Sequence, residues 1–365
     1  MATRNEAATP GAPVADPSVW KAPWVIGRLP SAAGDVPQVA TSLGWADRLG
    51  GWKVRWRIGR MQYRIAPGIY GAGNPNEESP VLVTANYKLT FDALRSELHG
   101  RDAWILVLDT KGVNVWCAAA KGTFSAEELV RRIGATNLPA LVSHNVLIVP
   151  QLGAVGVTAR EVHAASGFRV VFGPVYAADL PRFLESGIKS PDMHTVRFST
   201  TDRLVLVPAE LGPWTMKALL VAACLVLLAG FGPEGFSTGG MMTMGAASAL
   251  LCLAATVSAV VLGPALLPWL PGRAFAVKGM WLGLLLAAVL VVLSSVYRAS
   301  ALGVVDLVAW CLAIPAISSF ITMGFTGATP YTSVSGVRRE MRTALPLQIA
   351  AAAGALVAWV AARFV

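Results

Sequence analysis

The sequence predicts two unlike halves: an α/β domain with a mostly parallel sheet over residues 45–213, then an all-α membrane domain of five helices over residues 214–365. Three observations predict this. Hydrophobic residues make up 55% of the chain and charged residues only 14%, against about 25% charged in an ordinary soluble domain. The deficit is local: residues 1–213 hold 22 basic and 18 acidic side chains, whereas residues 214–365 hold 8 and 3. Strand and helix patterns also alternate between residues 81 and 184, as they do where parallel strands are covered on both faces.

Taken in order, residues 1–44 read as a flexible segment. Its first part, Met1 to Ser18, is rich in Ala, Pro and Thr and lacks the charged-then-apolar order of a signal peptide. From Trp52 to Ile58, Trp52, Val54, Trp56 and Ile58 alternate with Lys53, Arg55 and Arg57. That period of two predicts a half-buried strand with a basic outer face, solvated near anionic lipid. Gly68 to Pro75 reads as a turn-rich stretch. Val81–Thr84, Trp104–Leu108, Val146–Val149 and Arg169–Phe172 read as strands, and Phe91–Leu98 and Asp179–Leu184 as helices. Ser125-Ala126-Glu127-Glu128 and Thr158-Ala159-Arg160-Glu161 have the spacing of capping boxes, starting helices to Ile133 and Ala165.

Apolar runs of membrane-crossing length, about 20 residues, are Trp214–Phe231, Gly239–Leu262, Ala276–Tyr297, Ala301–Phe325 and Leu345–Val365. With the first half cytoplasmic, the inner loops carry Arg273, Lys278, Arg338, Arg339 and Arg342, and the outer segments carry Arg298 and Arg363. This asymmetry predicts an inner-membrane protein with its C-terminus outside. The net charge of +9 is then a topology signal and calls for no nucleic acid. Asp306 is the one acidic residue inside a predicted span, which favours an anchor over an ion-coupled transporter.

In a parallel sheet the ligand is expected beyond the carboxyl ends of the strands. The loops there are Thr84-Ala85-Asn86-Tyr87-Lys88, Asp109 to Lys121, Pro150-Gln151-Leu152-Gly153-Ala154 and Gly173-Pro174-Val175. No G-x-G-x-x-G follows a strand and no G-x-x-x-x-G-K occurs, so dinucleotide and triphosphate sites lack support. The four cysteines, Cys117, Cys224, Cys252 and Cys311, form no metal or disulfide pattern. Asp192-Met193-His194 begins like the Asp-x-His-x-x-Gly signature of common cobalamin domains, but Arg197 stands where Gly is required.

The segment Asn114-Val115-Trp116-Cys117-Ala118-Ala119-Ala120-Lys121-Gly122 follows the second strand and reads as a short Ala-rich helical turn. Considered alone, Cys117 reads as a buried small hydrophobe. The segment resembles the signature Asn-(Val/Ile)-Trp-Cys-Ala-(Ala/Gly)-Gly-Lys of the HgcA family, the membrane-bound corrinoid proteins of microbial mercury methylation. The resemblance extends through Gly73-Asn74-Pro75, Val81 to Lys88, Leu108 to Gly112, Leu152 to Ala154 and Gly173 to Val175. It continues through Phe325 to Gly327, Tyr331 to Ser333 and Gly336-Val337. One departure is Ala120 where the family has Gly. A helical position favours Ala by up to about 1 kcal/mol, whereas a positive φ or tight corrin clearance favours Gly.

The resemblance implies a Rossmann-like corrinoid-binding domain in which Cys117 is the lower axial cobalt ligand, the corrinoid's own base being displaced. It implies methyl transfer from cobalt to Hg(II), with methylmercury as product. Asn114, Val115 and Trp116 would set the cap helix over the corrin, Ala118 and Ala119 would allow close approach, and Lys121 would cap the helix or meet a propionamide. Thr84, Asn86, Gln151, Gly153, Gly173 and Pro174 are further expected contacts. One cysteine in the soluble half cannot hold an iron–sulfur cluster. An HgcB-like ferredoxin is therefore the implied electron source, and a methyltetrahydrofolate-dependent methyltransferase the implied methyl donor. The alternative is a membrane-held methyl carrier of one-carbon metabolism, resembling the corrinoid subunit of the acetyl-CoA pathway. A non-catalytic corrinoid binder or transporter is a third reading.

Overall fold

The computed structural model describes residues 17–296, 302–328 and 334–364. The expected tail up to residue 16, Arg298 and the Tyr331–Ser333 match lie outside the described residues. The chain divides after Val196 into two compact units, earlier than the expected boundary at 213, because the helical run of the first span already begins at Thr200.

The first unit is built on seven strands: β1 (Val25–Leu29), β2 (Val36–Val39), β3 (Gly68–Ala72), β4 (Val81–Ala85), β5 (Ala103–Leu108), β6 (Val146–Val149) and β7 (Arg169–Phe172). Their order across the sheet is β1-β2-β3-β5-β4-β6-β7. β5, β4, β6 and β7 run parallel, as do β2 and β3, while β1–β2 and β3–β5 are antiparallel. The mostly parallel α/β sheet is thus present. β4 (VLVTA) and β5 (AWILVL) are buried along their whole length, as their near-continuous apolar runs require in a doubly covered sheet.

Alternate residues of these strands feed two cores. Val83, Ala85, Leu106 and Leu108 face α4 (Ala126–Ala135) and α5 (Ala159–Ser166) through Leu129, Ile133 and Val162. Leu82, Ile105 and Val107 face α2 (Lys88–Ser96) and α6 (Leu180–Ser186) through Phe91, Leu180 and Phe183. Phe91 is fully buried and contributes about 1.5–3 kcal/mol.

Several expectations are corrected. Trp52–Ile58 is not a strand. It holds the end of α1 (Trp45–Arg55) and a following turn, because the same residues also satisfy a helical period that turns Gly51 and Val54 inward. Gly68–Pro75 is not simply a turn, since Gly68–Ala72 is a fully buried strand. Its glycine at 71 packs closely on Leu29 and Pro75, and a Cβ there would displace the end of the Leu29 side chain. The turn itself is taken by Gly73 at φ 66°. Within the segment expected to be flexible, residues 25–29 and 36–39 form β1 and β2, and Trp24 rests on Tyr70 and Phe91 at 5.6 and 5.1 Å between ring centroids beside them.

The capping signals divide. Ser125 Oγ accepts the Glu128 N–H at 3.3 Å, but the Glu128 carboxylate is turned to the Asp109 N–H at 2.8 Å. Thr158 makes no side-chain cap to α5.

The second unit contains, among the described residues, five helices long and apolar enough to cross a membrane: Thr200–Leu228, Thr238–Leu266, Phe275–Val296, Val304–Gly324 and Ser335–Ala361. Asp306 is paired with Arg363 and accepts the Gly303 N–H at 3.2 Å. The carboxylate therefore ties the start of the fourth span to the end of the fifth.

Candidate functional site

The strand order creates the site. From β4 the chain crosses through α2 to β5 on one side, then returns past β4 to β6 on the other. Adjacent loops consequently leave the sheet in opposite directions at the carboxyl ends of β4 and β6, which opens a crevice. A cleft of about 460 Å³ lies there, lined by Leu82, Val83 and Thr84 of β4, Ile148 and Pro150 at β6, and Leu89, Thr90, Ala93 and Leu94 of α2. Gly173, Pro174, Val175, Tyr176 and Leu180 form the opposite wall. The walls are mostly apolar.

Above the cleft stands α3 (Val115–Ala120), and Asn114, Val115 and Trp116 contribute to the lining. Its position is fixed by the Asn86 amide. Asn86 Oδ1 accepts from Thr110 N, Thr110 Oγ1 and Gly112 N at 3.1, 2.9 and 2.9 Å. Its Nδ2 donates to Asp109 Oδ1 at 3.2 Å. Lys111 and Gly112 then take positive φ values of 58° and 74° and turn the chain into α3. Burial pushes the Asp109 carboxyl up, but hydrogen bonds and charge from Lys111 outweigh it and hold the group below its ordinary value.

Asn114 caps α3, its side chain accepting the Cys117 N–H at 2.9 Å. Val115, Ala118 and Ala119 are buried in the core of the α4 face, so Trp116 and Cys117 lie on the outer side of the helix. Trp116 is 37% exposed and the Cys117 thiol is free and partly exposed. Ala120 is helical. The left-handed residue is Gly122 at φ 77°, where Thr123 N–H and Gly122 N–H return to Ala118 O and Ala119 O at 2.9 and 3.2 Å.

The expected contacts therefore separate. Thr84, Asn114, Val115, Trp116, Gly173 and Pro174 line the cleft. Cys117 follows Trp116 on the same turn but is not part of that lining. Asn86 is consumed in holding the β5 loop. Ala118 and Ala119 pack inward instead of clearing space for a ligand. Gly153 packs under Phe124, whose Cε1 would meet a Cβ at 2.5 Å. Gln151 accepts a hydrogen bond from Lys189 Nζ, and Lys121 is the exposed residue that ends α3. His194 is exposed, and its neighbour Asp192 pairs with Arg182 at 2.6 Å.

Sequence reasoning missed the α2 wall and Arg55 and Tyr176, which also line the cleft. It missed too the buried ion cluster behind that wall. Lys88 Nζ lies 2.7 Å from Asp47 and 2.6 Å from Asp92, and Arg95 reaches the same carboxylates at 2.7 and 2.8 Å. The Lys88/Asp92/Arg95 spacing of four and three was the available signal; Asp47 comes from a distant segment.

Comparison with known proteins agrees with the geometry in extent. The family model described as CO dehydrogenase/acetyl-CoA synthase delta subunit matches residues 60–184. The acetyl-CoA decarbonylase/synthase complex subunit gamma of Methanopyrus kandleri is 37% identical over 128 residues, covering 34% of this chain and 27% of that protein. The Methanocaldococcus jannaschii subunit gamma is 32% identical over 129 residues, covering 35% and 26%. Subunit gamma 2 of Methanosarcina thermophila is 35% identical over 133 residues, covering 34% and 27%. The chain thus spans about a quarter of the length of these relatives. The matched segment includes β3 to β7 and the whole cleft except Arg55.

Proposed function

We propose that this chain is a membrane-anchored corrinoid protein that carries methyl groups in one-carbon metabolism. The observation that carries this reading is the cleft at the β4/β6 carboxyl ends, roofed by the capped helix that bears Cys117. A corrinoid brings its own four equatorial nitrogens and a cobalt that takes up a methyl group and passes it on. The protein would then have to supply room, apolar surface and at most one donor to the metal.

The donor set fits that need. Among the described residues no three His, Cys, Asp or Glu side chains are placed to hold a metal ion by themselves, while Cys117 offers one soft sulfur donor. Trp116 and Val115 offer apolar surface above the cleft, and Asn114 fixes the turn carrying Cys117. Thr84, Gly173 and Pro174 line the cleft at the strand ends, where a hydroxyl and backbone groups would meet the ligand. The relatives are subunits of an acetyl-CoA decarbonylase/synthase complex, which supports methyl carriage with protein partners.

A second reading, methylation of Hg(II) to methylmercury, is favoured by Cys117 itself and the HgcA-like segment around it. If Cys117 held the metal of a bound corrinoid, its thiolate would donate electron density and favour passing a methyl group to an electrophilic acceptor. Here a methyltetrahydrofolate-dependent methyltransferase is the donor and an HgcB-like ferredoxin the electron source. In both readings the five spans lie in the inner membrane, with the first unit cytoplasmic and the C-terminus outside.

The experiment is reconstitution of the purified full chain with cobalamin, followed by absorbance. No bound corrinoid removes both readings. Cys117→Ala is expected to change the spectrum of the bound corrinoid, and an unchanged spectrum removes cysteine ligation. Methyl transfer to a thiol or nickel acceptor with none to Hg(II) selects the carrier, and transfer to Hg(II) selects the second reading.

A further inference from the structure

The helix α1 has two apolar faces, and among the described residues only one is covered. Inward, Gly51 and Val54 are buried. A Cβ at Gly50 would come within 2.5 Å of Tyr63 Oη, and one at Gly51 within 3.3 Å of Leu89, so the glycines let the helix lie close. Outward, Trp45 is 79%, Leu49 40% and Trp52 56% exposed, and Trp56 packs tilted against Trp52 at 5.9 Å between ring centroids. At 3.6 residues per turn these positions fall within about 60° of arc. The following turn adds Ile58 and Met61, 58% and 70% exposed.

Charge frames this stripe with one sign. Arg48 and Arg55 flank it on one side and Lys53 on the other, each about 70–90° from its centre. Arg57, Arg60 and Arg64 are also exposed. The one acidic side chain between residues 45 and 64 is Asp47, which is turned to Lys88 and Arg95. Tryptophans take up the boundary between headgroups and acyl chains, and Arg and Lys reach from there to lipid phosphates.

We propose that the Trp45–Met61 face docks on an anionic lipid bilayer. An acidic soluble protein would match the cations alone, whereas a lipid surface also takes the exposed Trp and Met side chains. The same chain carries five spans, so a bilayer is held at high effective concentration and a weak surface affinity suffices.

The test uses the full chain reconstituted in phosphatidylcholine vesicles, or in equal parts phosphatidylcholine and phosphatidylglycerol, each with and without brominated acyl chains. The readout is the emission difference between wild type and a W45F/W52F variant, which leaves the exposed positions aromatic. The difference signal is expected to be quenched in brominated phosphatidylglycerol vesicles. Quenching should be lost in about 0.5 M salt, where the screening length is near 4 Å, and in the K53E/R60E background. No quenching, equal quenching in neutral vesicles, or shielding that arises only when an acidic soluble protein is added would overturn the proposal.

Discussion

The side-chain oxygen of Asn114 accepts the backbone N–H of Cys117 at 2.9 Å. The residue that begins the cap helix thereby fixes the turn that carries the free thiol. Asn114→Ala leaves that N–H without its cap and is expected to cost about 1 kcal/mol. Faster hydrogen exchange over residues 115–120 and weaker cobalamin retention would show it, and Asn114→Ser should restore both. Unchanged exchange would mean that the cap does not order the helix.

Ala120 is helical and Gly122 carries the positive φ. Ala120→Gly is therefore expected to loosen α3, by up to about 1 kcal/mol, and Gly122→Ala to strain it by about 1–2 kcal/mol. Cobalamin binding titrations on both variants check the pair. Tighter binding by Ala120→Gly would show that corrin clearance governs position 120.

Arg95 is fully buried and bonds to Asp47, Asp92 and the Ser42 carbonyl. Arg95→Met strands carboxylates beside Lys88 and should destabilise the first unit by about 3–5 kcal/mol. Early proteolysis within residues 40–96 during thermal ramping is the measurement, and wild-type resistance would show that Lys88 alone satisfies the cluster.

The same cluster sets a pH window. Burial pushes the Asp47 carboxyl up, but hydrogen bonds and charge from Lys88 and Arg95 hold it below 3.8. Its contribution is present above the unfolded value and is lost as pH falls below about 3.8. Burial and the carboxylates Asp92 and Asp47 push the Tyr63 hydroxyl up to about 12. That stabilisation is full below pH 10 and is lost between 10 and 12. Ultraviolet titration of wild type against Tyr63→Phe should lose a tyrosinate step near 12, and a step near 10 would contradict the burial argument.

Much of this was legible in one dimension. Unbroken apolar strands, the Asn-capped Ala-rich turn and the charge-poor second half are local patterns, and local sterics and hydrophobicity set them. Thr84, Gly173 and Pro174 were expected as contacts because they occupy strand-end loops, and Asn114 and Trp116 because the segment around Cys117 resembles the HgcA signature; all five line the cleft. The Trp52–Ile58 segment was misread because alternating apolar and basic residues fit a period of two as readily as a helix with two apolar faces. Gly68–Ala72 was misread because Gly71 packs against Leu29, a neighbour in space alone.

The sequence by itself determined the α/β class and the five apolar helices, since both follow from composition or spacing along the chain, while Cys117 was singled out only by the resemblance of the segment around it. Only the tertiary structure decided that Asn86, Gly153, Ala118 and Ala119 support the site from within. It also decided that α2 supplies a wall of the cleft and that residues 25–39 belong to the sheet. Those outcomes depend on hydrogen bonds and packing between segments far apart in sequence, where burial forces each polar group to find a partner and each Cβ to find room.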